Sequence, residues 1–420
     1  MSNERKRILI LGAGFAGISA AKRLASRAGE TVDVLVVSDK NYHLFTPLIY
    51  QVASGLASPY HVIQPVRYLA RKTGFSFMEA KVTGIDAEAR KVRTDKCELD
   101  FDFLIIGVGS VSNDFGIKGA SEHALFLKTL DDGARIRNEL LKIMEEISVK
   151  RPSEEEMRRA LAVVIVGGGA TGVELAGSLA DYILILSHLY PEIDVKRFST
   201  ITLLEADKRL LPGLDEKIAS ATSHALERKG VKIITGAKVE EVDGTGVKYS
   251  NGRLDSNIII WTAGIKPNPL VENLDVDHFP KTKGRITTDS YLRVKGHENI
   301  FAAGDIIWVN GASKQPPATA AAAAEEGEYI GELISGLIEG KEKGKPFIYK
   351  DRGFMLSLGR FSGVAWFPSG ILLTGFIGWA IWRFVHLALI ETVRSKIGIL
   401  FDWTLAIFYR RITIRTDYTE

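Results

Sequence analysis

The segment VVIVGGGATGVELA, residues 163–176, decides the fold that this sequence predicts. An apolar, β-branched run is followed by Gly167, Gly169 and Gly172, and then by a helical stretch that contains Glu174. A buried strand, a tight glycine turn and a helix N-terminus together suit a pyrophosphate, because the backbone can approach the phosphates and the helix dipole favours their charge. One such loop alone is weak evidence for a bound dinucleotide.

A second loop of the same kind lies near the start of the chain. Apolar residues 8–11 are followed by GAGFAG at 12–17 and by an amphipathic helical pattern. The next strand, residues 32–37, is followed by Ser38 and Asp39, and an acid at this distance typically binds the ribose hydroxyls of the nucleotide. Both side chains remain candidates, with Asp39 slightly preferred. Two dinucleotide loops predict two bound dinucleotides with electron transfer between them.

Length and composition exclude several classes of protein. A chain of 420 residues predicts two or three domains, and 46% hydrophobic with 25% charged residues is typical of a globular protein. The net charge of +3 gives no reason to expect nucleic acid as a partner. A single cysteine, Cys97, excludes an internal disulfide, a redox dithiol and a cysteine-ligated iron–sulfur cluster. The N-terminal MSNERKR lacks a signal-peptide core, which predicts a cytosolic N-terminal region.

The strand that follows the loop at 167–172 is followed by an acid. Residues 200–204 are a strand, and Glu205 lies 33 residues after Gly172. A carboxylate there accepts a hydrogen bond from a ribose 2′-OH and repels a 2′-phosphate, so the sequence favours NADH over NADPH. Arg209 is the alternative, because it could bind a 2′-phosphate or stack on adenine.

Two later segments add candidate residues. The strand in NIFAAGD, 299–305, leads to Gly304 and Asp305, and the aspartate either accepts from hydroxyls of a bound cofactor or caps a turn. Residues 315–326 begin a long helix with small side chains at its start. Such a start allows close approach of a flat ring, and its positive end would stabilise a reduced flavin.

The C-terminal region is apolar, then aromatic and basic. No charged residue occurs between Arg360 and Arg383, so the length would permit a transmembrane helix of about 20 residues. Pro368, several glycines and ionisable residues fit such a span poorly. Interfacial amphipathic helices are favoured over a span, with a buried helix or dimer face third. The aromatic and basic residues behind this preference are Trp379, Trp382, Arg394, Lys396, Trp403, Arg410, Arg411 and Arg415.

In the order of its motifs the chain resembles the type II NADH:quinone oxidoreductases, flavoproteins with two dinucleotide-binding domains. The resemblance runs nearly end to end through GAGFAG (12–17), NYHLFTPLIYQVASG (41–55), IIGVGSVSNDFGIKG (105–119), GGGATGVELAG (167–177), LLEADKRLLPGLD (203–215), WTAGIKPN (261–268), FAAGD (301–305) and GWAIWRFVHL (378–387). It implies an α/β fold with two Rossmann-like domains and a C-terminal amphipathic helical membrane-anchoring region. The implied domains are an FAD-binding domain at 1–120 and 286–345, an NADH-binding domain at 121–285 and a membrane-association region at 346–420.

The resemblance also implies the residues of each site, with no metal. Non-covalent FAD would contact Gly12, Gly14, Phe15, Ala16, Gly17, Ser38, Asp39, Thr46, Val82, Gly109, Gly304, Asp305 and Ala321. NADH would contact Gly167, Gly169, Ala170, Thr171, Gly172, Glu174, Glu205 and Gly264. Glu174 matches a family glutamate close to nicotinamide and flavin and is the candidate catalytic residue. A purely structural helix carboxylate is the alternative.

The quinone motif of the family, Ala-Gln-x-Ala-x-Gln, is altered here. It matches residues 320–325, where the first glutamine is Ala321 and the second is Glu325. The site thereby loses an amide donor, and Arg360 lies where the family keeps cations near this pocket. The implied acceptor is a membrane quinone, and the implied location is peripheral (monotopic) on the cytoplasmic face of the cell membrane. The sequence leaves open whether the protein forms a homodimer.

Three other functions compete with this interpretation. A sulfide:quinone reductase shares the fold and the membrane tail but uses two cysteines at the flavin, and this chain has only Cys97. An NADH-dependent reductase of another acceptor, soluble or at a membrane surface, fits the altered motif. A flavin-binding NADH sensor or membrane scaffold with little turnover is the candidate from a different class.

Overall fold

Two parallel five-stranded sheets carry the two glycine loops of the chain. The computed structural model describes residues 5–341, 344–408 and 411–415. Of the cations predicted in the tail, Arg410 lies outside the described residues. Contacts divide the chain into two units, each assembled from three segments.

The strands are, in chain order, β1 Lys6–Leu11, β2 Val32–Ser38, β3 Tyr42–Leu44, β4 Ile63–Pro65, β5 Ser76–Glu79, β6 Val82–Asp86, β7 Lys91–Thr94, β8 Glu98–Asp100, β9 Phe103–Ile106, β10 Ser110–Ser112, β11 Leu125–Phe126, β12 Ala162–Val166, β13 Thr200–Leu204, β14 Val231–Ile234, β15 Val239–Asp243, β16 Gly246–Tyr249, β17 Gly252–Asp255, β18 Ile258–Trp261, β19 Ile265–Pro267, β20 Lys281–Thr282, β21 Arg285–Thr288, β22 Ile300–Ala302, β23 Ile307–Val309, β24 Phe354–Ser357, β25 Gly363–Trp366 and β26 Leu372–Thr374.

The α-helices are α1 Phe15–Ala28, α2 Ile49–Ala53, α3 Val66–Thr73, α4 Ala120–His123, α5 Leu130–Lys150, α6 Glu154–Leu161, α7 Ala170–Leu189, α8 Val195–Phe198, α9 Glu216–Glu227, α10 Pro269–Glu272, α11 Ala320–Ile338, α12 Gly375–Leu389 and α13 Val393–Ile407. Short 3₁₀ helices cover Gly29–Thr31, Thr46–Leu48 and Pro59–His61.

The first unit comprises residues 1–44, 63–111 and 265–350, as far as they are described. Its central sheet has the order β22-β9-β1-β2-β5, and every neighbouring pair is parallel. Four consecutive residues of β1, Ile8 to Leu11, are completely buried, as expected for a parallel strand covered on both faces. Helix α11 packs closely on α1, since a Cβ at Gly327 would lie 2.1 Å from the carbonyl oxygen of Ala16.

The second unit comprises residues 45–62, 112–264 and 351–420, as far as they are described. Its sheet has the order β11-β18-β12-β13-β14, again entirely parallel. Part of the aromatic segment 41–55 packs in this unit, where a Cβ at Gly133 of α5 would lie 3.2 Å from the carbonyl oxygen of Ile49.

The predicted α/β fold with parallel sheets is confirmed, and the differences concern short elements. The segment between α5 and β12 contains α6, at whose start Ser153 and Glu156 form a capping box. A serine followed three residues later by glutamate is a sequence signature of such a start. Region 346–420, expected to be helical, begins with the antiparallel sheet β24-β25-β26.

The apolar C-terminal helices are short. Among the described residues, α7 alone is long and apolar enough to cross a membrane, but 67% of its apolar window is buried, as for a core helix. Helices α12 and α13 have 15 residues each, or about 22 Å. Each of the two helices therefore has fewer residues than the ~20 that a spanning helix needs.

Candidate functional site

The first glycine loop is closed by backbone contacts that only glycine allows. Gly12 has φ +102° and donates to the carbonyl oxygen of Val37 at 2.7 Å. A Cβ at Gly12 would lie 2.4 Å from the Gly107 oxygen, and one at Gly17 would lie 1.9 Å from the Gly12 oxygen. Helix α1 begins after Gly14 without a side-chain cap or an acid in its first turn. Its positive end is therefore uncompensated by the chain, which suits a phosphate.

The second loop repeats this construction. Gly167 has φ +109° and donates to the carbonyl oxygen of Leu204 at 2.8 Å. A Cβ at Gly172 would lie 1.9 Å from the Gly167 oxygen. Helix α7 begins after Gly169, again without a side-chain cap or an acid in its first turn. Each unit thus has its own dinucleotide-type loop.

Glu205 lies directly against the second loop. Its side chain is 7% exposed, and its two carboxylate oxygens accept from the backbone N–H groups of Gly168 at 2.7 Å and Asp207 at 2.8 Å. The alternative residue, Arg209, donates to the carbonyl oxygen of Leu214 at 2.9 Å. The negative charge beside the loop is therefore fixed in place, whereas the guanidinium group is held by a different loop.

The other residues predicted to contact NADH lie on the same unit. Ala170 and Thr171 form the first turn of α7 and are half-buried. Gly264 follows β18 with φ +74°, and a Cβ there would lie 2.3 Å from the ring of Phe115. The structure thus brings these residues and the loop to the carboxyl end of β12 and β18.

A carboxylate pair surrounds the turn after β22 in the first unit. The hydroxyl of Ser110 hydrogen-bonds to the carboxylate of Asp305. The N–H of Gly304 donates to Glu326 at 2.5 Å, and burial raises the pKa of Glu326, which is 2% exposed, to about 8. Sequence reasoning missed Glu326, although it shares a buried helical stripe with Ala322 and Ile330.

The remaining residues predicted for FAD are spread over both units. Ser38 is half-buried at the end of β2, and Asp39 after it is exposed. Val82 begins β6, and Gly109 has φ +69°. Thr46 belongs by its contacts to the second unit.

The other residues predicted to contact FAD or the quinone lie at or near the N-termini of helices. Phe15 and Ala16 open α1, where the Phe15 ring packs edge-on against His43 at 4.7 Å between centroids. On α11 the altered motif leaves Ala321 exposed and Glu325 half-buried, accepting from the Lys350 N–H at 3.3 Å.

Glu174 is a buried carboxylic acid on α7. It is 8% exposed and accepts from the N–H of Ser357 at 3.0 Å. Burial raises the pKa of Glu174 to about 8, while hydrogen bonds from Ser357 and the Trp382 side chain lower it to a smaller degree. The group is therefore protonated at neutral pH.

A chain of buried side chains that sequence reasoning missed lies in the same unit. Gln51 donates from Nε2 to the Tyr50 hydroxyl at 3.0 Å and accepts from Trp403 Nε1 at 2.7 Å. The pKa of Tyr50 lies well above its usual value because of burial and the nearby Glu174 carboxylate. Residues that are hundreds of positions apart are thus joined in one hydrogen-bonded chain.

Arg360, the predicted quinone cation, contacts the end of α13. Its Nη2 donates to the carbonyl oxygen of Ile407 at 2.6 Å, and its guanidinium lies over the Phe361 ring at 4.8 Å. Its role toward a quinone stays a prediction.

Cys97 lies in an exposed turn between β7 and β8. Within the described ranges, no group of three or more histidine, cysteine or acidic side chains is arranged to hold a metal ion.

Comparisons with known proteins agree on one family. Residues 6–327 match the family model described as pyridine nucleotide-disulphide oxidoreductase. A probable NADH dehydrogenase of Dictyostelium discoideum is 35% identical over 97% of this chain and 91% of its own length. The type II NADH:quinone oxidoreductase Ndh of Mycobacterium tuberculosis is 32% identical over 97% of this chain and 89% of its own. The fold is similar to NDH2 of Plasmodium falciparum in complex with NADH, with a TM-score of 0.90, 23% identity and coverage of 98% of this chain and 100% of that one.

Proposed function

The chain belongs to the pyridine nucleotide-disulphide oxidoreductase family, and on that premise we propose that it is a type II NADH:quinone oxidoreductase. It is an FAD-dependent, non-proton-pumping NADH dehydrogenase whose acceptor is a membrane quinone. The observation that carries this function is the pair of dinucleotide loops, one in each unit, each with an uncapped helix N-terminus behind it.

The first unit fits FAD. Its loop excludes a Cβ at Gly12 and Gly17, so that backbone N–H groups and the end of α1 are available to a pyrophosphate. Asp305 supplies a carboxylate at the neighbouring strand end for cofactor hydroxyls. Bound without a covalent link, FAD would supply the redox chemistry, taking up a hydride equivalent from NADH and passing two electrons to the acceptor.

The second unit fits NADH. The loop at 167–172 receives the pyrophosphate, and Glu205 accepts from the ribose hydroxyls of the adenosine half. Because the Glu205 carboxylate is already held by two backbone donors, it stays in place and disfavours a 2′-phosphate.

Glu174 holds a proton in the second unit. Its raised pKa keeps the carboxyl neutral at pH 7, so it can orient a neutral amide or donate a proton as electrons reach the acceptor. The Ser357 N–H fixes one of its oxygens.

Helices α12 and α13 attach the enzyme to the membrane surface. They expose large apolar side chains, among them Phe376, Phe384 and Phe401 at 59%, 75% and 60%. Apolar exposure on this scale, beside the exposed Arg394, is typical of an interfacial helix pair on an anionic membrane. The location we propose is peripheral, on the cytoplasmic face of the cell membrane.

A second candidate is an NADH-dependent reductase of a different acceptor. It is favoured by one observation: Ala321, exposed on the first turn of α11, replaces the amide donor of the family motif.

The visible spectrum of the purified protein tests cofactor, donor and acceptor together. We expect flavin absorption that bleaches with NADH and returns with a short-chain quinone under anaerobic conditions. A flavin that NADH bleaches but quinone does not reoxidise, while ferricyanide does, would support the second candidate. A flavin that NADH leaves oxidised would contradict both.

A further inference from the structure

Phe115 is an exposed aromatic residue with a strained backbone in the second unit. Its φ is +54°, in the left-handed region, and 61% of its surface is exposed. A bulky residue in this region is an outlier, because its Cβ crowds the following carbonyl oxygen. Such conformations persist only where the surrounding contacts fix them, and they are concentrated at ligand-binding sites. A phenylalanine that is both strained and exposed therefore indicates a role for its ring.

Hydrogen bonds join the backbone around Phe115 to the end of β18. The N–H of Phe115 donates to the side-chain oxygen of Asn113 at 2.9 Å. The N–H of Asn113 donates to the carbonyl oxygen of Gly264 at 3.2 Å, and its own carbonyl oxygen accepts from Trp261 Nε1 at 2.9 Å. The ring is therefore positioned relative to β18 before any ligand binds, and little entropy remains to be lost on binding.

The ring lies close to the second glycine loop. It packs on Gly264, where a Cβ would lie 2.3 Å from the ring of Phe115. The residue before it contacts the loop, since a Cβ at Gly167 would lie 2.7 Å from the backbone nitrogen of Ala263. Only the short turn 262–264 thus separates the exposed ring from the dinucleotide loop.

The order of the strands indicates which half of a dinucleotide meets the ring. In the sheet β11-β18-β12-β13-β14 all strands are parallel, so their carboxyl ends lie at one edge. Glu205, proposed for the adenosine ribose, follows β13, and the glycine loop follows β12. Gly264 and the ring of Phe115 follow β18, on the other side of the loop. A dinucleotide with its adenosine half towards β13 extends its nicotinamide half towards β18.

We propose that the ring of Phe115 is a wall of the nicotinamide site and favours the oxidised product, NAD⁺, over NADH. This inference rests on the NADH half of the proposed function. When NADH gives up its hydride, its neutral dihydronicotinamide ring becomes a pyridinium cation. The face of an aromatic ring is electron-rich and attracts cations, so Phe115 binds the charged product more strongly than the neutral substrate. Phe115 thereby sets how strongly NAD⁺ inhibits the enzyme.

Two other roles would use the same contacts. The side chain could only cover Gly264 and stabilise the turn, or it could support the whole nucleotide site through residues 262–264. The covering role predicts a lower Tm with unchanged nucleotide binding. The supporting role predicts equal losses for all nucleotides, including ADP-ribose, which has no nicotinamide.

The test compares Phe115→Leu and Phe115→Tyr with a matched control, Phe361→Leu. Phe361 is also a phenylalanine of the second unit with a positive φ, +57°, and it is 40% exposed. Three ligands are titrated into the oxidised holoenzyme by calorimetry. They are NAD⁺, the tetrahydronicotinamide analogue of NADH, whose neutral ring cannot donate a hydride, and ADP-ribose.

We expect Phe115→Leu to raise the dissociation constant of NAD⁺ about 3- to 30-fold, the range for a lost cation–π contact. The dissociation constant of the neutral analogue should rise about two-fold, and that of ADP-ribose should not change. The inhibition constant of NAD⁺ against NADH, with ferricyanide as acceptor, should rise as the dissociation constant does. Phe115→Tyr, which keeps the ring, and the control should match the wild type.

The pattern over the three ligands and the Tm separate the outcomes. Equal weakening of all three ligands would overturn the proposal in favour of the supporting role. A lower Tm with three unchanged dissociation constants would overturn it in favour of the covering role. If Phe115→Leu does not fold, Phe115→Gly, whose residue adopts a positive φ without strain, should show the same selective loss of NAD⁺. A wild type that binds none of the three ligands and whose flavin NADH leaves oxidised would contradict the proposed function itself.

Discussion

At the scale of single residues, Glu205 combines two properties that are usually separate. It is a charged ligand candidate, and its oxygens are already occupied by the N–H groups of Gly168 and Asp207. This arrangement keeps the carboxylate rigid, so the discrimination against a 2′-phosphate should depend on charge and not on induced fit.

We expect Glu205→Ala to narrow the preference for NADH over NADPH about ten-fold, because the repulsion of the 2′-phosphate disappears. The measurement is kcat/KM for each nucleotide with ferricyanide as acceptor. Asp207→Asn is the matched control, since Asp207 contributes only its backbone N–H to this contact. An unchanged ratio in Glu205→Ala would rule out the proposed role.

We expect Glu174 to make the reaction sensitive to alkaline pH. Its protonated form predominates below its pKa of about 8 and is lost above it, so the rate of quinone reduction should fall as pH rises through 8. Because the side chain in Glu174→Gln has no proton to lose in this range, the fall of the rate above pH 8 should disappear from its pH–rate profile. If Glu174 donates the proton, kcat with quinone also falls about 100-fold.

The control for this profile is Glu227→Gln, which changes an exposed carboxylate of α9. Its pH profile should match that of the wild type. An alkaline limb that persists in Glu174→Gln would assign the titration to another group and leave Glu174 a structural role.

At the scale of elements, the strand–loop–helix turn of the first unit depends on close backbone approach. We expect Gly17→Ala to purify with little FAD, because its Cβ would lie 1.9 Å from the Gly12 oxygen and would force the loop apart. The measurement is the ratio of flavin to protein absorbance. Gly336→Ala within α11 is the control, since its Cβ would be 3.9 Å from the nearest atom. Full FAD content in Gly17→Ala would show that the loop tolerates opening.

The sequence predicted well those elements that are determined by residues close to one another in the chain. Glycine spacing and a buried apolar run set both loops, and the residues involved are neighbours in the chain. The start of α6 also has a local signal in the sequence, the Ser153–Glu156 capping box. Glu326 could have been found from its place on a buried helical stripe.

Other features depend on contacts that no local pattern contains. The hydrogen bond from Trp403 to Gln51 joins residues separated by 352 positions. Burial and partners of this kind come from the fold alone.

At the scale of the whole molecule, we expect the exposed face of α12 and α13 to attach the protein to the membrane. Each exposed phenylalanine contributes about 1.5–3 kcal/mol when it is buried in lipid, and a glutamate in its place would oppose binding by its charge. We therefore expect the double variant Phe384→Glu, Phe401→Glu to lose at least about 100-fold in its partition onto vesicles of mixed zwitterionic and anionic lipid. Flotation without detergent measures this partition.

The same variant distinguishes a membrane face from a dimer face. Tyr68→Glu, which changes an exposed aromatic residue of α3 in the first unit, should float like the wild type. Because the two phenylalanines are exposed and lie outside both glycine loops, we expect the double variant to keep the rate of flavin reduction by NADH and to become soluble. If it stays on the vesicles, α12 and α13 do not carry the attachment. If instead it stays soluble but changes from dimer to monomer in sedimentation, the exposed phenylalanines also cover a second copy of the chain.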